Sequence, residues 1–338
     1  MKNFIPLLHN QTLLKQTVPA LRYAPGCDFT AWAEESRAKL QELLGLPFQP
    51  CDDAFEIETT AEHTEYSEVR FTFQSEEGYF VPCHLLLPKG GGKAKPLAVC
   101  LQGHSKGMHL SLGRPKYEGD EESIAGGRDF ARQAVRAGFC ALTVEQRNFG
   151  ECGGTPDGPD CYISAMTALL LGRTTIGERV WDVSRALDTV ARHFPQIGTD
   201  NVLCMGNSGG GTATFYAACL DTRIKLAMPS CAVCTYKDSI AAVEHCACNF
   251  IPQIAHYFDM GDLGGLIAPR ALVVVAGEQD DIFPIAGVRE SFERIQSLYD
   301  SAGAAKRCRL VISGGGHAFP PDKAWPVALE LWEQLPKL

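Results

Sequence analysis

The segment that most restricts the fold follows the apolar run Val202-Leu203-Cys204-Met205. It reads Gly206-Asn207-Ser208-Gly209-Gly210-Gly211 and passes into Thr212-Ala213-Thr214-Phe215-Tyr216-Ala217-Ala218, a helix-compatible stretch. A G-x-S-x-G run between strand and helix requires a sharp turn centred on the serine. The serine backbone is strained there, so the residues two before and two after it, Gly206 and Gly210, must carry no side chain. The turn exposes the Ser208 hydroxyl at a helix N-terminus. The Gly209 N–H and the helix dipole then point to where a tetrahedral oxyanion would develop.

The rest of the chain repeats the strand-then-helix rhythm. Residues 97–101, 140–144, 202–205, 224–228, 271–276 and 308–312 are short apolar runs, as expected for strands buried on both faces. Helical patterns cover 129–137, 178–193, 210–219, 286–299 and 322–335. In the second of these, Val180, Val183, Ala186, Leu187 and Val190 share one face, and Arg179, Asp182, Arg185 and Asp188 are expected to face away. Such alternation implies an α/β, doubly wound, mostly parallel sheet of about eight strands with helices on both faces. Residues 79–88 read as the second strand of an antiparallel lead-in pair, and Lys89-Gly90-Gly91-Gly92-Lys93 as a strand connection; it lacks the spacing of a phosphate loop. The expected layout is an N-terminal helical or irregular extension, 1–55, packed on a single domain, 56–338. Irregular insertions at 103–127, 150–175 and 231–269 follow strands and belong over their carboxyl ends, where sites and lids occur.

Composition narrows the function. In 338 residues, 40 acids against 31 bases give a net charge of −9, which repels phosphate backbones and anionic lipid, so neither nucleic acid nor a membrane is an expected partner. No apolar stretch is long enough to span a bilayer. Residues 1–14 lack the unbroken apolar core of a secretory leader, which gives a cytoplasmic expectation. The 14 cysteines are spread along the chain, several inside strand-like runs, and read as reduced buried thiols.

A serine hydroxyl is a weak nucleophile and needs a base, which in turn needs an orienting acid. After a turn of this kind the acid and then the histidine should follow along the chain. Asp280 lies in the loop after the strand at 271–276, four residues before Pro284; Asp281 is its rival and Glu278 a more distant one. Of the nine histidines only His317 lies beyond Asp280, and it follows the last strand and the run Gly314-Gly315-Gly316. Ser208, Asp280 and His317 are therefore the candidate catalytic residues. The second oxyanion donor should come from Gln102-Gly103-His104-Ser105, with the His104 N–H the first candidate beside that of Gly209, and Ser105 the second.

These motifs resemble the α/β-hydrolase superfamily from about Tyr79 to Leu335. More narrowly, Leu171-Gly172-Arg173-Thr174 through Asp188, the serine turn, and Pro229-Ser230-Cys231 look like the acetyl xylan esterase and cephalosporin deacetylase-like branch, near the dienelactone hydrolase-like group. The segments His245-Cys246-Ala247-Cys248-Asn249 and Leu266-Ile267-Ala268-Pro269-Arg270 are similar to bacterial members of that branch. The resemblance implies hydrolysis of short acyl esters, often acetyl groups on sugars, through an acyl-enzyme. Dienelactone hydrolases carry a cysteine nucleophile where this chain has Ser208, which disfavours that activity. Relatives often carry Arg-Gly-x-Gly where this chain reads Arg147-Asn148-Phe149-Gly150.

The expected activity is thus a serine carboxylic-ester hydrolase on small esters, with no cofactor and no metal, and with a homo-oligomer left open. A prolyl oligopeptidase-like peptidase or amidase is the alternative, although the roughly 80 residues before the core are too few for a β-propeller. A hydrolase-fold binding protein without catalysis is a third reading. Two further clusters carry structural expectations. Cys231, Cys234, His245, Cys246 and Cys248 offer five metal donors within 18 positions, but the C-x-C spacing of the second pair favours packing over zinc. Glu145 and Arg147 suggest a buried ion pair that supports the loop after their strand.

Overall fold

The computed structural model describes residues 4–90 and 95–335; Gly91 to Lys93 of the glycine-rich connection lie outside the described residues. Nine strands form one sheet: β1 (Glu56–Glu62), β2 (Tyr66–Glu76), β3 (Tyr79–Pro88), β4 (Pro96–Leu101), β5 (Cys140–Val144), β6 (Gly198–Asn207), β7 (Ile224–Ser230), β8 (Ala271–Gly277) and β9 (Cys308–Ser313). Their order is β1-β2-β3-β5-β4-β6-β7-β8-β9. The first three strands and the β3–β5 pair are antiparallel, and every pair from β5 to β9 is parallel. The lead-in therefore has three strands and the sheet nine, where about eight were expected.

Strict alternation in the parallel strands separates two cores. From β4, Leu97, Val99 and Leu101 enter one face, and Ala98 and Cys100 the other. In β8 the split is Leu272, Val274 and Ala276 against Ala271, Val273 and Val275. Helices Thr175–His193, Gly209–Leu220 and Ile285–Ser301 cover the first face, and Phe130–Arg136 and Pro321–Glu333 the second. A strand apolar on both sides is stable only in such a sandwich of layers. The N-terminal segment adds helix Phe29–Leu44, whose Asp28 cap accepts from the Thr30 and Ala31 N–H groups at 2.8 and 3.1 Å. Its Trp32, Leu40 and Leu44 join the first core.

The order reverses at β4: the chain steps to β5 on one side and returns to β6 on the other. The crevice between the carboxyl ends of β4 and β6 is thus the topological switch point, where open α/β sheets bind ligands. It is bordered by the segment that starts at Gln102 and by Ser208.

Two polar expectations are corrected. Of the four charges expected to face away on helix Thr175–His193, Asp188 does reach solvent, but Arg179 and Asp182 are each 2% exposed and meet the segment after β5, and Arg185 is buried with its guanidinium on the Cys51 carbonyl. Arg147 does not pair with Glu145. Its guanidinium binds both Asp182 carboxylate oxygens at 2.8 Å, reaches Glu76 at 2.6 Å, and stacks on the Tyr79 ring. Glu145 instead accepts from the Met108 N–H, at 3.0 and 3.2 Å, and so holds the segment after β4. Asn148 takes a left-handed φ of 72°, a region that asparagine tolerates better than most residues with a side chain.

Two predictions follow from these buried charges. Asp182→Leu leaves Arg147 short of its bidentate partner and should cost about 3 kcal/mol in urea unfolding, whereas Arg147→Met/Asp182→Leu should recover most of the loss; equal losses in both variants would contradict the pairing. For Glu145, burial outweighs the two backbone N–H groups and lifts its carboxyl to about 7. The folded state holds this proton more tightly than the unfolded chain, so its contribution is complete below about pH 4.5 and is lost as pH rises through about 7. Glu145→Gln should remove a decline of about 3 kcal/mol in stability between pH 5 and 8, read by denaturation at each pH; an unchanged pH profile would refute the assignment.

Candidate active site

Ser208 sits between β6 and helix Gly209–Leu220 with φ 56° and ψ −125°, a conformation that side chains other than glycine rarely adopt. Contacts on every side hold it there. The Ser208 N–H donates to the Ser230 carbonyl at the end of β7 at 2.8 Å, and the Ser208 carbonyl accepts from the Thr212 N–H at 2.8 Å. A methyl group on Gly210 would stand 2.2 Å from the Leu101 carbonyl oxygen, and one on Gly206 2.4 Å from the Gly210 backbone. A methyl on Gly103 would meet the Asn207 carbonyl oxygen at 2.4 Å and the Ser208 Cβ at 2.9 Å. Gly103, after β4, is therefore required by the serine turn itself.

Asp280 and His317 meet across the ends of β8 and β9. The His317 Nδ1 lies 2.8 Å from the Asp280 Oδ2, and the other carboxylate oxygen accepts from the Ile282 and Phe283 N–H groups at 2.9 and 3.1 Å. Asp280 is 4% exposed. Burial alone would raise its pKa, but the His317 hydrogen bond and charge and the two N–H groups hold it below the ordinary value. Asp281 and Glu278 are exposed, so of the three acids it is Asp280 whose carboxylate reaches the imidazole. The Phe283 ring lies nearly parallel to that of His317, with centroids 5.9 Å apart. Cys231, the residue after the Ser230 that anchors Ser208, brings its sulfur within 4.8 Å of the Asp280 and His317 ligand atoms. The serine turn and the acid–imidazole pair therefore border one another through β7. Burial pushes the Cys231 thiol up to about 12, which leaves it a poor nucleophile.

The His104 ring packs against Gly209, where a methyl would come within 2.8 Å of its Cε1 and Nδ1, and it meets the Phe149 ring edge-on at 5.2 Å. His104 thus stands beside the Gly209 end of the helix, at the switch point. Its Nε2 lies 3.1 Å from the Cys248 sulfur. Ser105 has a buried hydroxyl without a hydrogen-bond partner. A 330 Å³ cavity opens beside them, walled by His104, Ser105, Lys106, Glu118, Arg128 and Asp157 among others.

The five-donor cysteine and histidine set does not converge. Cys231 turns to the Ala318 carbonyl, Cys234 to that of Pro284, and His245 to the Ser239 hydroxyl. Cys246 and Cys248 instead join His104 and Cys161, with all four ligand atoms within 4.8 Å of one another. Cys161 was missed in the sequence, since nothing in its spacing connects it with residues 57 positions before it and 85 after it. All 14 cysteines are free of disulfides.

Among known proteins the chain is 27% identical over 191 residues to a Bacillus subtilis (strain 168) protein assigned as hydrolase YtaP, which covers 56% of this chain and 62% of that relative, less than two thirds of its length. A Bacteroides fragilis NCTC 9343 structure assigned as an acetyl xylan esterase superposes with a TM-score of 0.79 over 98% of this chain and 90% of that one, at 15% identity. A glucuronoyl esterase from Solibacter usitatus matches with a TM-score of 0.67 at 16% identity, over 94% of this chain and 95% of that one. At such identities these two likenesses establish the fold. No helix among the described residues is long and apolar enough to cross a membrane. The model of the Abhydrolase family matches residues 8–297, most of the chain, and the protein belongs to that α/β-hydrolase family.

Proposed function

We propose that this protein is a serine carboxylic-ester hydrolase that cleaves short acyl esters, acetyl esters of small carbohydrates in particular. The observation that carries the reading is the half-buried Asp280–His317 hydrogen bond bordering a serine held at positive φ at a helix N-terminus. In the first half-reaction the His317 Nε2 accepts the Ser208 hydroxyl proton as the oxygen attacks the ester carbonyl. The tetrahedral oxyanion is held by the N–H groups of Gly209 and His104. Collapse breaks the ester bond, His317 returns the proton to the leaving alcohol, and Ser208 keeps the acyl group. Water then attacks the acyl-enzyme by the same route and releases the acid. Asp280 holds the imidazole by its Nδ1 and stabilises the imidazolium in both halves. None of these steps calls for a metal or organic cofactor.

Two observations support the substrate class. The cavity beside His104 has a largely polar wall, with Ser105, Lys106, Glu118, Arg128 and Asp157, suited to the hydroxyl groups of a sugar alcohol portion. Solved structures of the same fold include proteins described as acetyl xylan and glucuronoyl esterases.

Ser208→Ala should lower kcat on p-nitrophenyl acetate by about 10⁴-fold or more, with an unaltered circular dichroism spectrum. Turnover at the wild-type rate would refute the serine mechanism. Across esters from acetate to octanoate, kcat/KM should fall with acyl length, and acetylated xylooligosaccharides should be deacetylated. A preference for octanoate, or for an aminoacyl amide over the acetyl ester, would overturn the substrate assignment.

A further inference from the structure

The thiols of Cys161, Cys246 and Cys248 and the imidazole of His104 lie outside the serine reaction, and they come from three separate insertions. His104 belongs to the segment after β4, Cys161 caps helix Tyr162–Leu170, and Cys246 and Cys248 belong to the segment after β7. All four donor atoms fall within 4.8 Å of one another, and Cys161 and Cys248 are buried. A tetrahedral zinc ion with Zn–S bonds of about 2.3 Å and Zn–N of about 2.0 Å needs donor separations of roughly 3.5 to 4 Å, a spacing that this cluster is built to approach. Three thiols and one imidazole complete a four-coordinate set, the mark of a structural site rather than a catalytic one with an open position.

Arg179 supplies a second, independent observation. Its buried guanidinium points Nη1 at the Cys248 sulfur, 3.4 Å away, and Nη2 at the Cys161 sulfur, 3.7 Å away, while it lies over the Phe149 ring. Nη2 also donates to the Arg147 carbonyl at 2.8 Å, but a neutral carbonyl and neutral thiols would leave this buried positive charge without a counter-charge. Three thiolates around a divalent ion carry a net charge of −1, which one guanidinium cancels.

We propose that His104, Cys161, Cys246 and Cys248 bind one zinc ion that ties together the three insertions over the active-site crevice. Ligand sets of this softness select zinc over magnesium or calcium. Binding itself is independent of the esterase reading. One consequence does rest on that reading: coordination would fix the His104 ring against Gly209, and with it the backbone N–H assigned to the oxyanion.

The full chain, purified under reducing conditions from zinc-supplemented medium and dialysed, should retain one zinc per chain by plasma emission. The cobalt-exchanged protein should show sulfur-to-cobalt charge transfer and the intense visible bands of a tetrahedral thiolate site. Cys161→Ser and Cys246→Ser should lose both signals, whereas Ser208→Ala and His317→Ala should keep them, so that failure of the esterase reading leaves this test intact. If the site also fixes the oxyanion loop, removing zinc should lower kcat on p-nitrophenyl acetate about tenfold, and zinc should restore it. Wild-type protein that holds no stoichiometric metal after zinc is added, gives an octahedral cobalt spectrum, or leaves the three thiols freely titratable by Ellman's reagent in the presence of zinc would overturn the proposal, and so would a Cys161–Cys248 disulfide in the reduced preparation. The cobalt spectrum needs no variant, so it decides the matter even if a cysteine substitution prevents folding.

Discussion

Backbone strain at Ser208 organises the carboxyl edge of the sheet. A residue with a side chain at φ 56° persists only when its surroundings leave it no relaxed alternative. Here the surroundings are the ends of three parallel strands. β7 accepts the Ser208 N–H through Ser230, and β4 presses its Leu101 carbonyl and Gly103 so closely on the turn that Gly206, Gly210 and Gly103 have no room for a methyl group. The same compression that strains the serine brings the β4 exit, with His104, against the first residue of the following helix. Nucleophile turn and candidate oxyanion donors are thus consequences of one packing arrangement.

A second layer of the design is electrostatic and holds the loops rather than the sheet. Arg147, Asp182 and Glu76 knit the segment after β5 to helix Thr175–His193, and Glu145 fastens the segment after β4 through the Met108 N–H. Asp280 combines two tasks: one carboxylate oxygen closes the turn before Phe283, and the other orients His317. An acid so placed can stabilise an imidazolium without moving, because its own position is fixed by backbone donors.

Much of this was legible in the sequence where burial imposes a pattern. The six core strands were readable because both faces are covered, which leaves short, uninterrupted apolar runs. The serine turn was readable because its glycines are steric necessities. β1 was not, since all seven of its residues are exposed and no apolar period marks it. Glu145 and Arg147, at the end of one strand, were expected to pair; the structure turns each to a different element, and the partner Asp182 sits on a helix whose polar side was expected to face water. Local periodicity cannot show that a long insertion will cover that side. The His104 cluster was hidden for the same reason, since Cys161 reaches it only through the path of an irregular segment.

The account stands or falls on whether the Ser208 oxygen is an activated nucleophile. Incubating the protein with a fluorophosphonate and sequencing the modified peptide by mass spectrometry tests this directly. The expected result is one phosphonyl adduct per chain on the peptide that contains Ser208, with labelling lost in His317→Ala. An unlabelled wild-type protein, or an adduct on a cysteine with Ser208 unmodified, would contradict it.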